Sequence, residues 1–188
     1  MSVETLSTLF AVGAIAIALL VLATVSLRVA ATWSAGMRGW WDALVVSAGP
    51  IALWLGAAVA VLATAGSLYY SLGAGFEPCE LCWYQRIAMY PLSLILVVAA
   101  ARADRAVGRY AAPIAVVGIA LSAYHYLIQQ FPDLSAGACS ASVPCTAAYV
   151  WEFDFVSIPF MAVVSFAAII TALWIDRAHT SAGAQPER

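Results

Sequence analysis

An all-α integral membrane protein is the fold class this sequence predicts, and three observations carry that prediction. Of 188 residues, 64% are hydrophobic and only 10% are charged, against roughly 25% charged in a soluble domain. The mean hydropathy is +0.93. The apolar residues gather into five runs, at 7–27, 47–70, 83–101, 111–128 and 156–175. Each is close to the ~20 residues that a helix rising about 1.5 Å per residue needs to cross about 30 Å of hydrocarbon. Lipid offers backbone groups no hydrogen bonds, so helices, which satisfy their own, are the workable spanning element.

The first run follows "MSVETLSTLF", which lacks the positive n-region of a signal peptide. It also exceeds the ~7–15 apolar residues of a cleaved leader, so an uncleaved anchor is the better reading. Behind it comes "VAATWSAGMRGWW", whose Trp33, Trp40 and Trp41 fit an interfacial segment, where tryptophan commonly anchors. The tail "HTSAGAQPER" is small and polar, a composition that favours disorder. No internal repeat is visible.

The charges orient the spans. The chain has no lysine, and seven of its eight arginines follow the first, third or fifth run: Arg28, Arg38, Arg102, Arg105, Arg109, Arg177 and Arg188. The positive-inside rule makes that side cytoplasmic. Glu4, Glu77, Glu80, Asp133, Glu152 and Asp154 fall on the other side. The N-terminus is therefore expected outside and the C-terminus inside. No basic run points to nucleic acid.

All four cysteines lie in the two loops expected outside. Cys79 and Cys82 precede the third span in "CELCWYQR", and Cys139 and Cys145 precede the fifth. An oxidising compartment lets disulfides form and persist. Three readings compete: two structural disulfides, a four-thiolate zinc site, and a redox relay between the pairs. Cys-x-x-Cys spacing is compatible with zinc, yet neither pair sits in a glycine-turned knuckle. A Cys-x-x-Cys ring is too small to contribute much as a staple. It suits redox work, because a thiolate near a helix N-terminus has a lowered pKa. Cys82 is expected at the start of the third helix, where unpaired N–H groups and the dipole favour negative sulfur.

Arg86 stands four residues after Cys82, on the same helix face. It either snorkels to the outer headgroups or faces an anion, the Cys82 thiolate or a reduced cofactor. A guanidinium at mid-depth costs about 2.5–3.5 kcal/mol and less near the edge. The functional reading is preferred, since Arg86 alone lies on the side the charge rule leaves poor in arginine. His125, near the outer end of the fourth span, is either a hydrogen-bonded interfacial residue or a proton carrier. No Gly-x-Gly-x-x-Gly loop or Cys-x-x-Cys-His haem motif is present. His125 and His179 fall near opposite faces, so a bis-histidine haem is disfavoured. A lipid-soluble acceptor, a quinone, remains.

"PCELCWYQRIAMYPL" after "GSLYYSLGAGFE", the histidine of "YHYLIQ", the pair in "CSASVPC", and "WEFDFVSIPF" together resemble the disulfide bond formation protein B family (DsbB, called BdbC in some bacteria). The likeness covers roughly residues 50–176. It implies a four-helix transmembrane bundle like that of vitamin K epoxide reductase, with an extra N-terminal transmembrane helix here. The expected organisation is an N-terminal anchor and interfacial segment at 1–46, a thiol oxidase core at 47–176 and a flexible cytoplasmic tail at 177–188. The resemblance further implies a bacterial inner-membrane enzyme, a thiol:quinone oxidoreductase. It would reoxidise a DsbA-like thioredoxin-fold partner and reduce ubiquinone or menaquinone. Cys139 resembles the cysteine the partner attacks, Cys145 the one that passes electrons to Cys79, and Cys82 the one adjoining quinone. Arg86 matches the family's quinone-site arginine, and His125 resembles a histidine linked to that site. No metal is implied. The direction fits the redox scale: oxidants of this type sit near about −120 mV, and thioredoxin near about −270 mV lies the wrong way to regenerate one. Only five residues separate Cys139 from Cys145, so a long mobile loop is not expected.

Overall fold

A helix ends where its apolar run meets glycine, proline or charge, and those breaks set the architecture. The computed structural model describes residues 2–135, 139 and 143–183. Among them are six α-helices: α1 (Val3–Ala30), α2 (Ala35–Ala48), α3 (Ala52–Leu68), α4 (Glu80–Arg102), α5 (Gly108–Gln130) and α6 (Ile158–Gly183). Five helical stretches are long and apolar enough to cross a membrane, with α2 and α3 forming a single 39-residue stretch, Ala35–Gly73. The segment expected along the interface is thus α2, which continues into the second span. The tight turn Gly49–Ile51 joins it to α3, at Pro50, which has no N–H to donate. Helix α6 runs to Gly183, so the first residues of the expected tail are helical. Residues 184–188 of that tail lie outside the described residues.

Helices α3 to α6 close a four-helix bundle, in which α3 packs on α4 and α6 while α5 packs on the same two. Its centre is large side chains set among small ones. Leu92, Leu96, Phe166 and Ile169 are fully buried beside Ala60, Ala111 and Ala115. Alanine and glycine let helices approach closely in lipid, where dispersion does the work that hydrophobic exclusion does in water. Gly118 shows why: a Cβ there would run into the Phe166 ring.

Helix α1 lies outside the bundle, chiefly against α6. It turns Ser7, Ala11 and Ala14 inward and Leu19, Leu20 and Leu22 outward, as expected of a peripheral helix in lipid.

The two ends of the bundle are built differently. At the arginine end, buried Asp176 of α6 pairs with Arg105, which also donates to the Gly49 carbonyl at 3.4 Å. There Arg28 of α1 lies over the rings of Trp41 and Trp174, 5.6 and 6.0 Å from their centroids. At the opposite, cysteine end, α3 loosens into a π-helical turn, Tyr69–Gly73, which swings Tyr70 into the interior. The approach to α6 is a tight turn closed by backbone bonds between Glu152 and Val156. Phe153 and Asp154 take φ of 54° and 63° within it, a region non-glycine residues seldom adopt.

Candidate redox site

Helix α4 begins at Glu80, about a turn before its apolar run, with Cys79 as its N-cap. The position expected for Cys82 therefore belongs to Cys79, whose Sγ accepts from the Cys82 amide at 3.4 Å. Glu80 in the first turn stabilises that early start by its charge against the helix dipole. Cys82 sits one turn in, and the two sulfurs lie 3.1 Å apart as free thiols. Cys139 and Cys145 form a disulfide with their Cα atoms 5.9 Å apart. All four cysteines meet in one apolar cluster with Leu81 and Ile128. Cys145 is fully buried within it, while Cys139 is half-buried.

His125 of α5 is buried at the junction of the two pairs. Its Nε2 lies 3.7 Å from the Cys79 sulfur and 3.1 Å from the Cys145 carbonyl oxygen. Its Nδ1 lies 2.8 Å from the Gln85 amide nitrogen. That nitrogen can only donate, so Nδ1 accepts and the ring hydrogen sits on Nε2. The ring therefore directs an N–H toward the Cys79 sulfur and the Cys145 carbonyl. The hydrogen bond from the Cys82 thiol holds the Cys79 thiol well below its ordinary value of 9.0, and His125 adds to this against the opposing effect of burial.

Two cavities meet at the thiol pair. The larger, about 260 Å³, is bounded by α1, α3, α4 and α6, and its lining includes Cys82, Gln85, Arg86, Tyr70 and Tyr90. The smaller, about 20 Å³, touches Cys79, Cys82, His125 and Gln129. Cys82 borders both. Arg86, half-buried, donates to the Ser67 carbonyl at 3.3 Å and lies 5.2 Å from the centroid of the Trp83 ring. Among the described residues the ion pair found is Arg105–Asp176, so Arg86 reaches no carboxylate. The shared face expected for Cys82 and Arg86 is the wall of this cavity. His125 lies beyond it, against the smaller cavity.

Cys79, Cys82 and His125 also place three potential metal-ligand atoms within 4.8 Å of one another. This is a donor set zinc accepts, and it exists only while the two thiols are reduced. Gln85 was missed by sequence reasoning, yet it carried a signal. A glutamine inside an apolar span must find a partner, because an unsatisfied buried amide is costly. Tyr70 carried none, since its inward position depends on the π-helical turn.

A bundle of membrane-spanning helices with a dithiol beside a disulfide at one end defines a class, the helical membrane thiol oxidoreductases. The family model "Disulfide bond formation protein DsbB" matches residues 49–176, and the chain belongs to that family. It is similar to Disulfide bond formation protein C of Bacillus subtilis, at 46% identity over 124 residues, covering 65% of this chain and 90% of the relative. Probable disulfide formation protein C of Bacillus cereus is 49% identical over 115 residues, covering 61% and 83%. Probable disulfide formation protein of Oceanobacillus iheyensis is 51% identical over 113 residues, covering 58% and 77%. No solved structure matches the chain. The chain is a multi-pass membrane protein of disulfide bond formation, with redox cysteines and oxidoreductase activity of that kind. Helices α1 and α2 lie outside the matched region.

Proposed function

We propose that the chain is a thiol:quinone oxidoreductase of the bacterial inner membrane, with its cysteine end outside the cytoplasm. It oxidises a DsbA-like thioredoxin-fold partner there and sends the electrons to ubiquinone or menaquinone. One observation carries the reading: Cys82 borders the apolar cavity that holds Arg86, while Cys79 packs beside Cys145. The thiol pair thus faces a lipid-side cavity and a disulfide at once.

The chain's residues have definite tasks in this reading. A partner thiolate attacks the Cys139 sulfur, the more accessible of its pair, and Cys145 leaves as thiolate. The partner's second thiolate then displaces Cys139, which leaves the partner oxidised and Cys139 and Cys145 reduced. When Cys79–Cys82 is a disulfide, the Cys145 thiolate attacks Cys79, releasing Cys82, and Cys139 closes on Cys145 to free Cys79. His125, with its N–H toward Cys79, stabilises the departing thiolate there. Oxidation of the Cys79–Cys82 dithiol releases two electrons and two protons, which a quinone, when bound, takes up together.

The cavity's chemistry fits that acceptor. Its volume is near the lower end of the ~300–1,000 Å³ of small-molecule sites, which are mostly apolar with a few placed polar groups. Arg86 is the donor here, with guanidinium N–H groups to spare beyond the one used on Ser67, and the Tyr90 and Ser67 hydroxyls lie 3.1 Å apart beside it. The test is quinone reduction by purified protein given a reduced thioredoxin-fold dithiol oxidase, together with Cys145→Ala. Turnover, and a mixed disulfide accumulating at Cys139 in the variant, are expected. A wild-type protein that leaves ubiquinone and menadione untouched, or trapping at Cys79 with Cys139 free, would sink the scheme.

A further inference from the structure

Helix α1 lies outside the matched region, and packing alone would make it a peripheral anchor. Its inner face does more. Leu9, Phe10, Gly13, Ala14 and Ile17 form a wall of the larger cavity, and all five are apolar. Their recurrence at i, i+1, i+4, i+5 and i+8 is a single helical stripe. The remaining walls come from the bundle and from the loops at its cysteine end, and they carry every polar group of the lining, Glu77 of the loop before α4 included.

Three contacts hold α1 in register with that cavity. Tyr70 donates its hydroxyl to Ser7 at 3.3 Å, and Thr8 donates to the Glu152 carboxylate at 3.3 Å. The Phe10 ring meets Tyr70 edge-on, with centroids 5.9 Å apart. The same ring lies 3.6 Å from the point a Cβ on Gly66 would occupy. Gly66 precedes Ser67, whose carbonyl takes the Arg86 guanidinium. Phe10 therefore stands at the depth of the arginine. Gly13 and Ile17 follow one and two turns deeper, reaching about 10 Å beyond it at 1.5 Å per residue.

We propose that α1 is the tail-side wall of the acceptor site: the ring of a prenylated quinone lies at the level of Phe10 and Arg86, and the start of its tail runs along Gly13 and Ile17. The proposal rests on the quinone reading above. It gives the extra helix a binding role, since the tail would otherwise face lipid on that side. Gly13 is the critical position, because a Cβ built there meets nothing within 4 Å. Gly13 borders the cavity and is itself exposed, so a side chain there enters open space at the cavity's edge.

The test fills that space and reads binding directly. Gly13→Leu adds an isobutyl group at the edge of the cavity without changing a cysteine or Arg86. Val12→Phe adds bulk to the neighbouring residue, which faces outward. Decyl-ubiquinone binding to detergent-purified protein is titrated by tryptophan fluorescence, and an azido-ubiquinone is photo-crosslinked and its adducts mapped by mass spectrometry. The Kd of Gly13→Leu should rise about tenfold or more, near 1.4 kcal/mol per decade. Val12→Phe should bind as wild type, and crosslinks should fall on residues 9–17. Thermal unfolding checks that both variants are folded. An unchanged Kd in folded Gly13→Leu, or crosslinks confined to α3 and α4, would reduce α1 to an anchor while leaving the quinone reading intact. A wild-type protein that binds no quinone overturns both together.

Discussion

Arg105 and Arg86 are the same residue at opposite ends of one bundle, and their surroundings give them opposite uses. Arg105 meets a buried carboxylate, Asp176, and a backbone carbonyl, so its charge is paired. Arg86 meets a carbonyl and the Trp83 ring, and it lines a cavity. The contrast extends to the ends themselves. The arginine end is fastened by an ion pair and by the tilted rings of Trp41 and Trp174, with centroids 5.2 Å apart. The cysteine end is held by a disulfide and by His125, bonded to Gln85 at 2.8 Å, and among the described residues it leaves Ser122, Ser157 and Gln129 with buried oxygens lacking a partner. A charge that has found its counter-ion is structure. A charge still offering donors can serve a ligand.

The largest effect should come from breaking the fastened end. Arg105→Ala leaves Asp176 buried without its partner. Removing one member of a buried pair costs about 3–5 kcal/mol. With the Arg105 side chain 33% exposed, the lower figure is expected, measured by denaturation of the detergent-solubilised protein. Arg105→Met with Asp176→Leu should recover most of the loss, because both charges are then gone. A loss in Arg105→Ala under about 1 kcal/mol, the size of a surface pair, would mean the pair is hydrated and the two ends are less different than they look.

Arg86 should behave in the opposite way. Arg86→Met should leave the fold nearly as stable and weaken quinone binding. A hydrogen bond to a charged group contributes about 1.5–3 kcal/mol, or roughly ten- to a hundredfold in the apparent constants for quinone. Lysine keeps the charge but loses the planar fork, so Arg86→Lys should fall between. Wild-type quinone kinetics with a lowered protein level would make Arg86 a snorkelling anchor and erase the comparison.

How far this was legible follows from the range of each interaction. The five spans, the gathering of cysteines at one end, and the Cys82–Arg86 face depend on local period and composition. The start of α4 was placed a turn late, because the apolar pattern begins at Trp83 while the helix begins at Glu80. The Gln85–His125 contact, the Asp176–Arg105 pair and the α1 wall join residues far apart in sequence. Helix packing decides them, and periodicity within a helix says nothing about its neighbour. His125 is the instructive case. Its sequence position gave its depth, but only packing put it against the smaller cavity, between the two cysteine pairs, with its Nε2 3.7 Å from the Cys79 sulfur.

The smallest effect expected is on the Cys79 thiol. Cys79 is held below its ordinary value by the Cys82 thiol first and by His125 second, with burial opposing. The sign follows: a lowered pKa keeps Cys79 a thiolate as pH falls through neutrality, and removing a contributor raises it toward 9.0. His125→Phe removes one donor and leaves the Cys82 contribution in place. Alkylation of Cys79 by iodoacetamide, resolved from Cys82 by peptide fragmentation, should therefore slow in acid, where the lowered pKa falls. About 1.5 kcal/mol for one donor to a charged sulfur corresponds to roughly a tenfold slowing. At neutral pH and above the two rates should converge, because Cys79 is then ionised in both proteins. Gln85→Leu should shift the profile the same way by less, since it frees Nδ1 to carry the hydrogen without removing the ring. If His125→Phe left the profile unchanged while Gln85→Leu altered stability alone, the imidazole would be a packed polar residue. The reactive character of this end would then belong to the thiol pair and the helix terminus that carries it.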